Sequence, residues 1–223
     1  MQLYKLLNKD GTTPQQHYQW PLPAVAGKPG KWLPKITGEL VACAHGYHVL
    51  RASDLLAWDG PALWEVECKG AVATWDNKCG VRTARLVRRV EAWNEKTLRL
   101  FAADCAERVL PLYEKEFSDD KRVRECIEAV RQYARGGIGE KKLAAAWAAG
   151  AAAWAAGAAR AAWAAGAAAW AAGDAARAAV AARDARAARD AGDAARAAAW
   201  DAERQWQTAH LCEMLGIPDE ESE

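Results

Sequence analysis

The sequence predicts an α+β protein. A small, mostly antiparallel N-terminal domain occupies residues 1–90, an Ala/Trp-rich α-helical bundle residues 91–216, and an acidic tail residues 217–223. Three observations carry this. Leu63 to Cys68 alternates, with Trp64, Val66 and Cys68 on one side and Glu65 and Glu67 on the other, the period of a half-buried strand. Prolines and glycines punctuate the first 90 residues, most densely between Trp20 and Pro34. Residues 143–200 are more than half alanine and lack proline, the composition of a helix.

The elements follow in order. Leu3–Leu7 reads as a first strand, and Asp10-Gly11 as a turn. Residues 20–34 read as ordered loop or extended chain, because proline removes backbone donors. Ile36–Cys43 suggests a strand, and Ser53 an N-cap for a short helix through Leu55, Leu56 and Trp58. Residues 81–90 suggest a further strand. Asn94 caps a helix carrying Leu98, Phe101, Cys105 and Leu112, with Pro111 placed to kink its end. Ser118 or Asp119 caps a second helix with the apolar set Val123, Cys126, Ile127, Val130 and Tyr133, ended by Gly136-Gly137. A last helix carries Trp200, Trp206, Leu211, Met214 and Leu215 and stops near Gly216 and Pro218.

The alanine tract contains AAWAAGAAAWAAG twice, at 145–157 and 161–173. Trp147 and Trp154 are seven residues apart, as are Trp163 and Trp170, so each pair shares a helical stripe. Gly150 with Gly157, and Gly166 with Gly173, repeat the spacing and give a smooth stripe that lets helix axes approach. A single helix over 139–215 would run about 115 Å. Breaks are therefore expected at Gly173-Asp174 and Gly192-Asp193, with Gly157 a weaker third, giving three or four packed helices; any of these junctions can also be a kink.

The chain carries 30 Lys and Arg against 29 Asp and Glu, which excludes a general nucleic-acid footprint. The six cysteines make no CxxC pair, which fits buried thiols in a reducing cytoplasm. The N-terminus lacks a signal-peptide core, and the alanine tract is studded with Arg and Asp, so no membrane span is expected. No GxSxG, P-loop or HExxH motif occurs, and no cofactor is expected. Cys43, His45 and His48 cluster, but a structural zinc site wants four ligands, so no metal is expected and structural roles are favoured; contact of His45, Tyr47, His48 or Arg51 with a ligand is the intermediate reading. Asp104 and Glu107 can share a helix face, where Arg108, Arg99 and Lys96 offer ion pairs. The twelve tryptophans read first as core and helix-interface packing.

Two stretches carry resemblances. LRLFAADCAERVLPLYEKEFSDDKRVRECIEAVRQYARG at 98–136, with the Ala/Arg/Trp-rich run after it, resembles a family of all-helical bacterial immunity proteins. GELVACAHGYHVL, LWEVECKGAV and DNKCGVRTARLVRR in the first 90 residues are similar to an uncharacterised domain of phage and prophage proteins. The resemblances imply a small cytoplasmic phage or prophage protein that neutralises a toxin or a defence system by binding, with no catalytic residues to carry over.

The expected function is therefore that of a non-enzymatic binding protein directed at a toxin or host defence effector. The alternative from another class is a sponge that sequesters a nucleotide-type immune signal, and a third is an enzyme acting on a nucleotide. A ligand pocket is expected around Arg160, which has no acidic residue within four positions and lies between Trp154 and Trp163. Arg177 comes next, with Asp174 competing for it, and His48 with Arg51 can close a second wall across the domain boundary. Ala/Gly stripes bury little area per residue, so a homo-oligomer, most simply a two-fold dimer, is expected.

Overall fold

The computed structural model describes residues 1–25, 27–58, 60–152 and 184–219. Their contacts group them into two units, one drawn from Met1–Leu98 with Arg204–Glu223 and one from Arg99–Glu203. The described residues are α+β as expected: every strand lies between residues 3 and 89, and helices dominate from residue 95.

The first unit holds two three-stranded antiparallel sheets. β1 (Leu3–Leu7), β3 (Ala62–Cys68) and β6 (Ala84–Arg89) form one, with β3 central. β2 (Tyr47–Val49), β5 (Lys78–Val81) and β4 (Val72–Trp75) form the other, with β5 central. Among the described residues, the bridge between Tyr4 and Leu50 joins them. The Tyr4 and Leu50 backbones exchange two hydrogen bonds of 2.8 Å each. Leu3, Leu7, Trp20, Val49, Val66, Val81 and Leu86 then share one core, with Trp64 and Cys68 packed against it, so β3 faces as its alternation predicts. Its acidic face is not left to solvent. Glu65 is buried and takes a bidentate Arg88, and Glu67 takes Arg85.

Several local expectations need correction. Residues 36–43 do not form a strand. Gly30, Leu33 and Ile36 donate their N–H groups to Leu86, Ala84 and Arg82, one bond per three residues rather than the two-residue rhythm of a ladder. The chain then leaves the sheet through positive-φ backbone at Gly38 and Cys43. The strand expected over 81–90 is two pieces. Val81 ends β5, and β6 starts at Ala84, while Arg82 reaches the Gly38 carbonyl and Thr83 the Leu33 carbonyl. The short helix, Ala52–Ala57, is of the 3-10 type and begins after Arg51, not Ser53; the Asp54 carboxylate accepts from the Arg51 N–H at 2.8 Å.

The helical elements are α1 (Glu95–Glu116), α2 (Arg122–Ala134), α3 (residues 140–152) and α4 (Asp184–Leu215). Asn94 caps α1, its Oδ1 accepting the Thr97 N–H, and α1 runs through Pro111. α2 starts later than expected. Neither Ser118 nor Asp119 caps it; Asp120 accepts from both the backbone and the guanidinium of Arg122. Gly136 ends α2 at positive φ, with the Gly137 N–H reaching back to the Gln132 carbonyl. Ala103, Leu110 and Ile127 form a small core between α1 and α2, with Val123 and Val130 against it. Gly150 of α3 lies so close to α2 that a Cβ there would meet the Cys126 Cβ at 3.1 Å, the close approach that the glycine stripe predicts.

α4 runs unbroken through Gly192 and Asp193, so the junction expected there is absent. One glycine costs a helix about 1 kcal/mol, less than its alanine-rich flanks supply. The junctions expected at Gly157 and Gly173 lie outside the described residues.

Gly30 is where the chain crossing β6 tolerates no side chain. A Cβ there would sit 2.6 Å from the Pro21 carbonyl oxygen. Gly30→Ala should lower stability by about 1–3 kcal/mol in chemical denaturation. Gly139→Ala, with nothing within 4 Å of its Cβ, should stay within about 0.5 kcal/mol of the parent.

Candidate functional site

β1 reads Leu-Tyr-Lys-Leu-Leu, which puts Lys5 on the same face as the core residues Leu3 and Leu7. The Tyr4–Leu50 bridge lays β2 alongside, and Lys5 Nζ donates to the His48 carbonyl at 2.7 Å. β5 pairs with β2, His48 opposite Gly80, and so brings up Lys78, which is 8% exposed. Both ammoniums line a cleft of about 380 Å³ with Tyr18, Trp20, Tyr47 and Trp58.

The aromatic walls are held in place. Trp58 Nε1 donates to the Asn77 carbonyl at 2.7 Å, fixing its ring against the β4–β5 turn, and Lys78 Nζ lies 5.2 Å from the ring centroid. Trp20 is fully buried, 5.4 Å from Lys5 Nζ and edge-on to Tyr47 at 5.9 Å. Tyr47 donates to the Pro34 carbonyl at 2.9 Å and packs on Tyr18, with the two hydroxyls 3.4 Å apart. Lys78 Nζ also meets Cys43 Sγ at 2.7 Å.

No carboxylate of the described residues pairs with Lys5 or Lys78. Burial, and secondarily the Lys78 charge, bring the Lys5 ammonium down to about 8. His48 is pushed below its ordinary value by burial first and then by both lysines, and the Tyr47 phenol is pushed up by burial and by the Tyr18 hydroxyl. The cleft thus concentrates positive potential between flat apolar walls, a setting for an anion.

Of the residues expected at a site, His45, Tyr47 and His48 line this cleft, His48 Nε2 accepting the Cys43 N–H at 3.1 Å. His45 is held by the Thr37 carbonyl at 2.8 Å, so both histidines have structural partners. Among the described residues no three metal-ligating groups converge. Arg51 is committed elsewhere: it pairs with Asp54 at 2.7 Å and donates to the Trp75 and Asp76 carbonyls, tying down the β4–β5 turn. Trp154, Arg160, Trp163 and Arg177 lie outside the described residues. Sequence reasoning missed Lys5 and Lys78. The signal for Lys5 was a charge alternating with Leu3 and Leu7; for Lys78 it was a hairpin, Val72–Trp75 and Lys78–Val81, around the two-residue turn Asp76-Asn77.

The unit of Arg99–Glu203 has a different surface. Asp104 and Glu107 form the expected ion-pair network, but their partner is Arg131 of α2, at 2.6 Å from each, while Arg108 pairs with Glu203 at 2.7 Å. Arg124 likewise meets Glu114 at 2.6 Å. Large apolar side chains stand exposed instead: Leu112 at 71%, Trp147 at 58% and Trp200 at 70%. For Trp147 and Trp200 this departs from the packing role expected of the tryptophans, which Trp20 and Trp93 do fulfil.

A family model described as Imm-5 like putative immunity protein matches residues 88–214. No curated protein matches the chain, and no solved structure does. The cleft residues, all between positions 5 and 78, lie outside the matched segment. No helix of the described residues is long and apolar enough to cross a membrane.

The depressed Lys5 ammonium sets a pH dependence. The unfolded chain holds that proton up to about pH 10.5, whereas the folded chain gives it up near 8. The burial penalty is therefore complete below pH 8, fades between 8 and 10.5, and is gone above. Lys5→Met should raise stability at pH 7 by on the order of 1 kcal/mol. Thermal melts across that window should show the advantage shrinking as pH rises.

Proposed function

The chain belongs to the Imm-5-like immunity family, and from that premise we propose that it is a non-enzymatic binding protein that neutralises a toxin or a host defence effector, in a phage or prophage setting, by covering it. The observation that carries the reading is the inversion of surface character in the matched segment. Asp104, Glu107 and Glu114 of α1 pair with Arg131 and Arg124 of α2, while Leu112 of α1, Trp147 of α3 and Trp200 of α4 present large apolar side chains to solvent. Tryptophan is the side chain that most often dominates a protein–protein interface, because it buries a large rigid area at small entropic cost. Paired charges around such anchors suit a rim, where they add orientation more than affinity.

Neutralisation by covering needs no chemistry from this chain. A two-fold dimer through the alanine-rich helices belongs to the same proposal, since a second copy can use the same anchors. A second reading, capture of a nucleotide-type signal, draws its support from the lysine cleft of the sheet unit.

Growth rescue against a panel of toxin domains co-expressed with the chain tests the proposal. Rescue should require a stable stoichiometric complex, and the toxin should be recovered chemically unaltered. Trp147→Ala and Trp200→Ala should each weaken that complex, with a loss of about 2 kcal/mol or more for a central anchor, while leaving the thermal melt in place. Rescue that leaves the toxin cleaved or modified, or that survives both substitutions, would overturn it.

A further inference from the structure

The cleft of the sheet unit stands apart from the protein-binding reading, in residues that the family match does not reach. We propose that it binds a small organic anion carrying one planar ring, of the size of a nucleoside monophosphate or an aromatic carboxylate, with the acidic head held between Lys5 and Lys78 and the ring against the aromatic wall.

Charge comes first. Lys5 and Lys78 reach the cleft from different strands and different sheets, β1 and β5. Burying a cation is costly unless an opposite charge or a set of hydrogen bonds compensates it. Here the ammoniums have a backbone carbonyl, a thiol and ring faces, and no carboxylate of the described residues. Two like charges lining one cavity are compensated best by an anion between them. A lysine is a point charge with rotatable donors, which suits either a phosphate or a carboxylate head.

Shape comes second. A volume of about 380 Å³ stands near the lower end of the range of about 300–1,000 Å³ found for small-molecule sites, room for one ring with its head and not for a dinucleotide. Trp20, Tyr47 and Trp58 are each pinned by burial or by a backbone hydrogen bond, so the walls stand formed before a ligand arrives. Thr13, Gln15, Gln16 and Tyr18 supply polar groups around the cleft for hydroxyl or ring-edge contacts.

The test is calorimetric titration of the full chain with four probes: adenosine 5′-monophosphate, indole-3-acetate, adenosine and inorganic phosphate. At least one ring-bearing anion should bind at least about tenfold tighter than adenosine or phosphate alone, since head and ring each contribute. Lys78→Met and Lys5→Met should each weaken that binding by about tenfold or more, and raised salt should weaken it in the parent. Where Lys78→Met fails to fold, Lys78→Arg is the second variant; it keeps the charge and should retain most of the affinity. Trp147→Ala should leave the titration unchanged, so the cleft and the protein-binding surface fail independently. No binding of either ring-bearing anion up to millimolar concentration, equal binding of uncharged adenosine, or unchanged affinity in both methionine variants overturns the proposal.

Discussion

Two hydrogen bonds hold the sheet unit to its plan, the pair exchanged by the Tyr4 and Leu50 backbones. A three-stranded sheet is too small to bury its apolar residues alone. The bridge fixes β1 against the end of β2, so that Leu3 and Leu7 meet Val49, Val81 and Leu86 in one core. The same register has a second consequence. It carries Lys5 to the His48 carbonyl, and through the β2–β5 pairing it brings Lys78 to the same cavity. A shift of one residue would move Lys5 to the opposite face of β1 and out of reach of the His48 carbonyl.

Both units pair arginines with acids, and they differ in the cleft and in the exposed tryptophans. In the unit of Arg99–Glu203, arginines find acids: Arg131 takes two, and Arg124 and Arg108 one each. Its apolar surplus is what stands in solvent, in Leu112, Trp147 and Trp200. In the sheet unit Trp20, Tyr47 and Trp58 are pinned, Tyr18, Val25 and Val41 stand exposed, and Lys5 and Lys78 line the cleft. Exposed tryptophan is relieved by a partner that excludes water, and a pair of buried ammoniums by an anion. The two proposals therefore give the units different occupants, a protein surface for one and a small charged molecule for the other.

Much of this was legible in the sequence. Leu3–Leu7, the alternation over Leu63–Cys68, the Asn94 cap and the Gly136-Gly137 stop all rest on local rules, and local rules hold where one residue's chemistry decides the outcome. The misses share a cause. Ile36–Cys43 has strand composition, but Ile36 donates to the Arg82 carbonyl and Val41 to His45, and the chain turns through positive φ at Gly38 and Cys43, a tertiary choice. α2 starts at Arg122, after Lys121, instead of after Ser118 or Asp119, and Asp120 just before it accepts both the N–H and the guanidinium of Arg122. The cleft was hidden for the same reason. Its two lysines lie 73 positions apart, and only the sheet pairings make them neighbours. Arg160, chosen for its lack of local acids, lies outside the described residues, while Arg51, chosen for its spacing from His48, is consumed by Asp54 and the hairpin turn.

The central claim is that neutralisation is a binding event on the helical unit. Hydrogen exchange on the complex with a toxin that the chain neutralises addresses it directly. Slowed exchange should appear in α1 near Leu112, α3 near Trp147 and α4 near Trp200, with β1, β2 and β5 unchanged. Protection confined to the strands around Lys5, His48 and Lys78, with the helices exchanging as in the free chain, would contradict it.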